Sequence, residues 1–96
     1  MIAISVFNAP AVNAGIPPIL AFRVDPSAGN VTLQVRLNGT EVLKWPFFNE
    51  PQPRSWHEVV PANLLRPTNN TLTVTRSEGP GNFTISDIVM FYQADV

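Results

Sequence analysis

Apolar and polar residues alternate along most of this chain with a period of two. From Val31 to Leu37, Val31, Leu33, Val35 and Leu37 fall on one side and Thr32, Gln34 and Arg36 on the other. That is the pattern of a strand with one buried and one wet face. Asn38-Gly39 follows at once and suits the positive φ angles of a tight hairpin turn, with Thr40 to Trp45 as the return strand. In that register Arg36 sits opposite Glu41, a cross-strand ion pair worth less than ~1 kcal/mol if exposed. Thr71 to Arg76 alternates in the same way, with threonines outward and Leu72 and Val74 inward.

Shorter signals complete the set. Residues 2–7 alternate loosely, Ile2, Ile4 and Val6 against Ala3, Ser5 and Phe7, and predict a first strand. Residues 8–18 hold three prolines and read as a loop. Ile19 to Val24 predicts a strand with Leu20, Phe22 and Val24 on one face, and Trp56 to Val60 another, ended by Pro61. Pro61 to Leu65 suits a single helical turn with proline at its first position. Residues 45–56 carry Pro46, Pro51 and Pro53 and predict a long loop, and Glu78-Gly79-Pro80-Gly81 a flexible tip. Phe83 to Tyr92 is the last strand. The count, about seven to eight strands at short spacing, predicts an all-β antiparallel sandwich in a single domain spanning 1–96.

The last strand breaks the pattern. Ile88, Met90 and Tyr92 form one face and Val89 and Phe91 the other, so it is apolar on both sides. Two explanations stand. It is a central strand beneath a covering loop, or it presents Val89 and Phe91 as an interface to another subunit or a larger protein.

Composition narrows the function classes. A net charge of −1 gives no electrostatic footprint for nucleic acid or an anionic membrane. The absence of cysteine removes disulfides and thiolate metal sites. No apolar run approaches membrane-spanning length, and the N-terminus lacks the basic region of a signal peptide. The chain therefore acts in the cytoplasm, is exported by another route, or begins after processing, and its compartment stays open.

Leu-Gln-Val-Arg-Leu-Asn-Gly at 33–39, Val-Val-Pro-Ala-Asn-Leu-Leu at 59–65, Asn70-Thr71-Leu72-Thr73-Val74 and Ile-Ser-Asp-Ile-Val-Met at 85–90 occur in order. Together they resemble the galactose-binding-like jelly-roll superfamily, and in particular the non-catalytic sugar-binding domains of glycoside hydrolases and polysaccharide lyases. The likeness covers roughly residues 31–92. It implies a jelly-roll sandwich, with Asn70 opening its strand by bonding local backbone and Leu64, Leu65, Leu72 and Val74 in the core. It implies a carbohydrate-facing role only by analogy. The chain is shorter than such domains usually are.

Candidate chemistry is sparse. Trp45, Phe47, Phe48 and Trp56, interleaved with Asn49, Glu50 and Arg54, have the composition of a sugar platform: flat rings for pyranose faces, amide, carboxylate and guanidinium groups for hydroxyls. The same aromatics could instead plug one end of a small core, or serve as a subunit contact, where aromatics and arginine are enriched. His57 is the only histidine, its neighbours Ser55 and Glu58 make no triad, and no second histidine or cysteine exists to share a metal. No pair of acids is placed for glycosidic cleavage. Asn-x-Thr triplets begin at Asn30, Asn38, Asn69 and Asn82, where turn and strand preferences account for them.

These readings predict a domain without catalytic residues, metal or cofactor. Its expected function is carbohydrate binding through the 45–56 segment. The alternative is an assembly protein that forms a homo-oligomer or docks on a larger protein through Val89 and Phe91.

Overall fold

The computed structural model describes residues 2–95, with the side chain of Ile2 outside the description. Seven strands follow one another: β1 (Ile2–Phe7), β2 (Ile19–Pro26), β3 (Asn30–Leu37), β4 (Thr40–Phe48), β5 (Arg54–Val59), β6 (Asn70–Ser77) and β7 (Phe83–Phe91). They form two antiparallel sheets, β1-β6-β3-β4 and β5-β2-β7. The fold is a β-sandwich, and no helix occurs among the described residues. Of Pro61 to Leu65 only Ala62 and Asn63 form a turn, and Asn63 has a φ of 71°, so the stretch makes no helical turn.

The core comes from alternate positions. Leu20, Phe22 and Val24 of β2, Val31, Leu33, Val35 and Leu37 of β3, and Leu72 and Val74 of β6 are buried together, with Leu65 beside them and Leu64 packed against the cluster. Each period-two strand thus contributes one apolar face, as burial of apolar surface requires.

Two bulges reconcile strands whose apolar period slips. On β7, Phe83 and Ile85 lie opposite Pro26 and Val24, while Met90 lies opposite Leu20. Ile85 and Met90 differ in parity, yet both pack on the core. The register shifts between Ala21 and Arg23, and Asp87 takes a φ of 54° there. One extra residue turns the second half of β7 over, as a bulge does. A second shift, between Val35 and Arg36, does the same for β4. Arg36 is registered with Glu41 as expected. The bulge re-aims the strand, however, and Glu41 accepts a hydrogen bond from Gln34 Nε2 at 2.5 Å instead of pairing with Arg36.

Three further expectations change. β4 runs on through Pro46 to Phe48, and β5 begins at Arg54, so the long loop shrinks to 49–53. β4 is an edge strand, where one side of the backbone has no ladder to lose and proline is tolerated. β7 is also an edge strand, which removes the central-strand explanation of its two apolar faces. The 78–81 tip is seated rather than loose: Gly81 is buried and its N–H donates to Asn30 O at 2.9 Å. Gly79 has a φ of 104°, and a Cβ there would lie 2.2 Å from the Asn30 carbonyl oxygen.

Asn70 is fully buried and uses all of its amide. Its Oδ1 accepts from Arg66 N–H at 2.8 Å and from Asn38 Nδ2 at 3.0 Å. Its Nδ2 donates to Arg66 O at 2.7 Å and to Phe7 O at 3.3 Å. Asn38 adds bonds to Leu64 O and Thr71 N–H. One side chain thus ties the β3–β4 turn, the crossover before β6 and the end of β1 together. Asn70→Ala leaves these buried partners unsatisfied and is expected to cost about 3 kcal/mol, lowering Tm by roughly 15 °C for a domain of this size. Thermal unfolding followed by circular dichroism measures it.

Candidate functional site

The expected aromatic platform does not form as one surface. Its residues alternate along β4 and β5, and alternation sends neighbours to opposite faces. Trp45 and Phe47 lie opposite Leu33 and Val31 of β3 and face the other sheet, whereas Pro46 and Phe48 face outward. Trp56, opposite Phe22 of β2, faces the first sheet from below. The two edge strands β4 and β5 therefore meet at one rim of the sandwich, and their inward rings close it.

Phe47 is completely buried. It contacts Trp56 edge-on at 6.5 Å between centroids and carries the Arg54 guanidinium 5.6 Å from its ring centre. It is a core residue and offers no face to a ligand. Trp56 is half-buried, stacked on Phe22 at 6.4 Å with an interplanar angle of 8°. Trp45 lies over its edge at 5.3 Å and 61°, and remains 40% exposed. The rim thus presents one open indole held upright by a second, anchored one.

The polar candidates divide between the rim and the turn. Glu58 Oε1 accepts a hydrogen bond from Trp56 Nε1 at 3.0 Å, fixing the ring and placing a carboxylate at its edge. Glu58 was missed by the sequence reading. The i, i+2 spacing from Trp56 was the signal, since it places both side chains on one face of β5. Arg54 pairs with Glu50, whose other oxygen accepts from Phe48 N–H at 3.3 Å. This pair braces the 49–53 turn beside the rim. Asn49 has a φ of 51° and accepts from Gly29 N–H at 2.9 Å, so its side chain serves the turn.

Phe48, 66% exposed, sits apart from the rim. It lines a shallow hollow of about 430 Å³ on the outer face with Pro46, Thr32 and Glu78. Glu78 also approaches Lys44 at 3.5 Å.

The outer face of the three-stranded sheet carries the other set. Val89 and Phe91 are 44% and 56% exposed. The register puts Ile19 between Val59 and Phe91, and Ala21 between His57 and Val89. Ile19 and Val59 are themselves exposed, so an apolar band crosses all three strands at one end. Sequence periodicity exposed only the β7 part, because the band exists only once the strands are in register. His57 is exposed beside it. Among the described residues, no group of three or more His, Asp or Glu comes together in a way that could hold a metal ion.

Comparison with models of known protein families finds no match, and neither the curated proteins nor the solved structures yield one. Burial predicts opposite outcomes at two adjacent phenylalanines. Phe47→Ala empties the core beneath Trp56 and is expected to cost about 3–5 kcal/mol. Phe48→Ala is expected to stay within about 0.5 kcal/mol of the parent. Denaturant midpoints of the two variants check this, and equal midpoints would contradict the placement of the rings.

Proposed function

We propose that this domain is a non-catalytic binding module whose rim at Trp45, Trp56 and Glu58 takes carbohydrate. The proposal includes the jelly-roll assignment and kinship with the galactose-binding-like superfamily. The observation that carries it is the half-open indole pair: Trp45 is 40% exposed on a strand, not on a loop, and rests on a Trp56 ring already fixed from two sides. A rigid ring loses little entropy when a sugar face stacks on it. The carboxylate of Glu58 and the Arg54–Glu50 pair flank the rings with groups that bond hydroxyls. Phe47 supports the site from beneath, and Phe48 lies outside it.

Affinity electrophoresis against a panel of polysaccharides, followed by a glycan array, tests the reading. The parent is expected to be retarded by at least one polysaccharide, and Trp45→Ala to weaken that interaction at least ~10-fold, about 1.4 kcal/mol. Because the Trp45 ring also packs on Trp56, the variant's Tm is expected to fall, so binding is compared well below its midpoint with a native circular dichroism spectrum as the check on folding. The reading fails if no polysaccharide retards the parent, or if Trp45→Ala is retarded equally.

A second reading is favoured by the apolar band of Ile19, Val59, Val89 and Phe91. Exposed apolar residues aligned across a sheet mark association surfaces, and here they sit in register on three strands. Under it the module assembles with itself or docks on a larger protein. Light scattering after size exclusion discriminates: a defined oligomer that Phe91→Glu converts to monomer supports assembly, and a monomer at high concentration removes self-association.

A further inference from the structure

The two rims of the sandwich differ. At the β4–β5 rim, Trp45, Phe47 and Trp56 fill the space between sheets. At the other rim, four strands lie over three. The small void within the core is bounded by β2 and β7 on one side and β3 and β6 on the other. β7 is the last strand of its sheet and β1 lies one strand beyond β6, so β1 overhangs a slot without a strand opposite it. The slot has a volume of about 280 Å³. Its walls are Leu20, Leu72, Ile88 and Met90, with the rings of Phe7 and Tyr92 alongside.

The register of β1 keeps the slot open. Ser5 lies opposite Leu72 and Ala3 opposite Val74, so β1 turns only small side chains inward before it reaches Phe7. Ile4 and Val6 point outward, 64% and 70% exposed. A strand shifted by one residue would send both branched side chains into the slot. The chain therefore contains the groups that would fill this space and directs them to water. Burial of apolar surface alone would favour the opposite register.

The lining sets the chemistry of the occupant. It contains no acid, lysine, arginine or histidine. The hydroxyl of Ser5 and the amide of Asn8 are its polar groups, while the Tyr92 hydroxyl donates to Pro10 O at 3.3 Å. An uncharged apolar cleft rejects ions, which would lose their hydration without a partner. An apolar cavity of about 150 Å³ holds a benzene. On that scale this slot holds a molecule of about ten non-hydrogen atoms. We infer that the slot between β1 and β7 binds a small neutral molecule with an aliphatic or aromatic body and one hydroxyl or carbonyl group directed to Ser5. This site is separate from the rim at Trp45 and does not depend on the carbohydrate reading.

The test is an NMR titration of the full chain with 1-octanol as the neutral probe and octanoate as its charged counterpart. Octanol is expected to shift the amides of Ser5, Leu72, Ile88 and Met90 saturably below about 1 mM, and octanoate at pH 7 to bind at least ~10-fold more weakly. Ser5→Leu fills the slot, so it should abolish these shifts while leaving Tm unchanged or raised. Ser5→Ala keeps the space and removes the hydroxyl, and should retain binding with reduced affinity. Absence of saturable shifts, equal binding of octanoate, or unchanged octanol binding by Ser5→Leu would each overturn the inference. So would shifts that depend on protein concentration and centre on Val89 and Phe91, because a second copy of the chain would then be the occupant.

Discussion

The buried amide of Asn70 is the constraint from which the rest of this sandwich follows. A polar side chain with no access to water must satisfy every donor and acceptor, or the fold loses the desolvation energy of each one. Asn70 does so with four partners drawn from Phe7, Asn38 and both backbone groups of Arg66. Those partners belong to three parts of the chain far apart in sequence. Fixing them at one point fixes where the crossover re-enters the first sheet and where β1 ends. Asn38 extends the network to Leu64 and Thr71, so the β3–β4 hairpin turn is held by the same cluster.

With β1 anchored at Phe7, the sandwich acquires unlike rims. The β4–β5 rim is sealed by aromatic rings and carries the half-open Trp45. The β1–β7 rim is left with an apolar slot beside the small inward side chains of Ala3 and Ser5. The slot arises from stacking four strands on three, which leaves β1 facing no partner, whereas β4 and β5 meet at the opposite rim. The features proposed for binding lie at the edges of the sheets because the interior is committed to packing.

Much of this was legible in the chain. The clean alternation at 31–37 and 71–76 gave β3 and β6 with their buried faces, and Asn38-Gly39 gave the hairpin turn, where both residues have positive φ. Asn70 was recognisable as the residue that opens its strand, although its bonds to Phe7 and Asn38 were not, since they join segments distant in sequence. The proline-rich stretch 45–56 misled, because proline reads as a loop unless the strand is known to lie at an edge. The candidate site divided for a related reason. Trp45, Phe47, Phe48 and Trp56 are close in sequence, but strand parity and the pairing of sheets send them to the rim, the core and the outer face.

Local pattern thus determined the element type, the inward faces of the regular strands and the all-β class, because side-chain alternation is a property of the extended backbone itself. Only the tertiary structure decided which strands are edges, where bulges correct a slipped period, and which way β1 turns its isoleucine and valine. Those outcomes depend on which strands pair and which sheets stack, and such contacts form between residues that no short window of sequence contains.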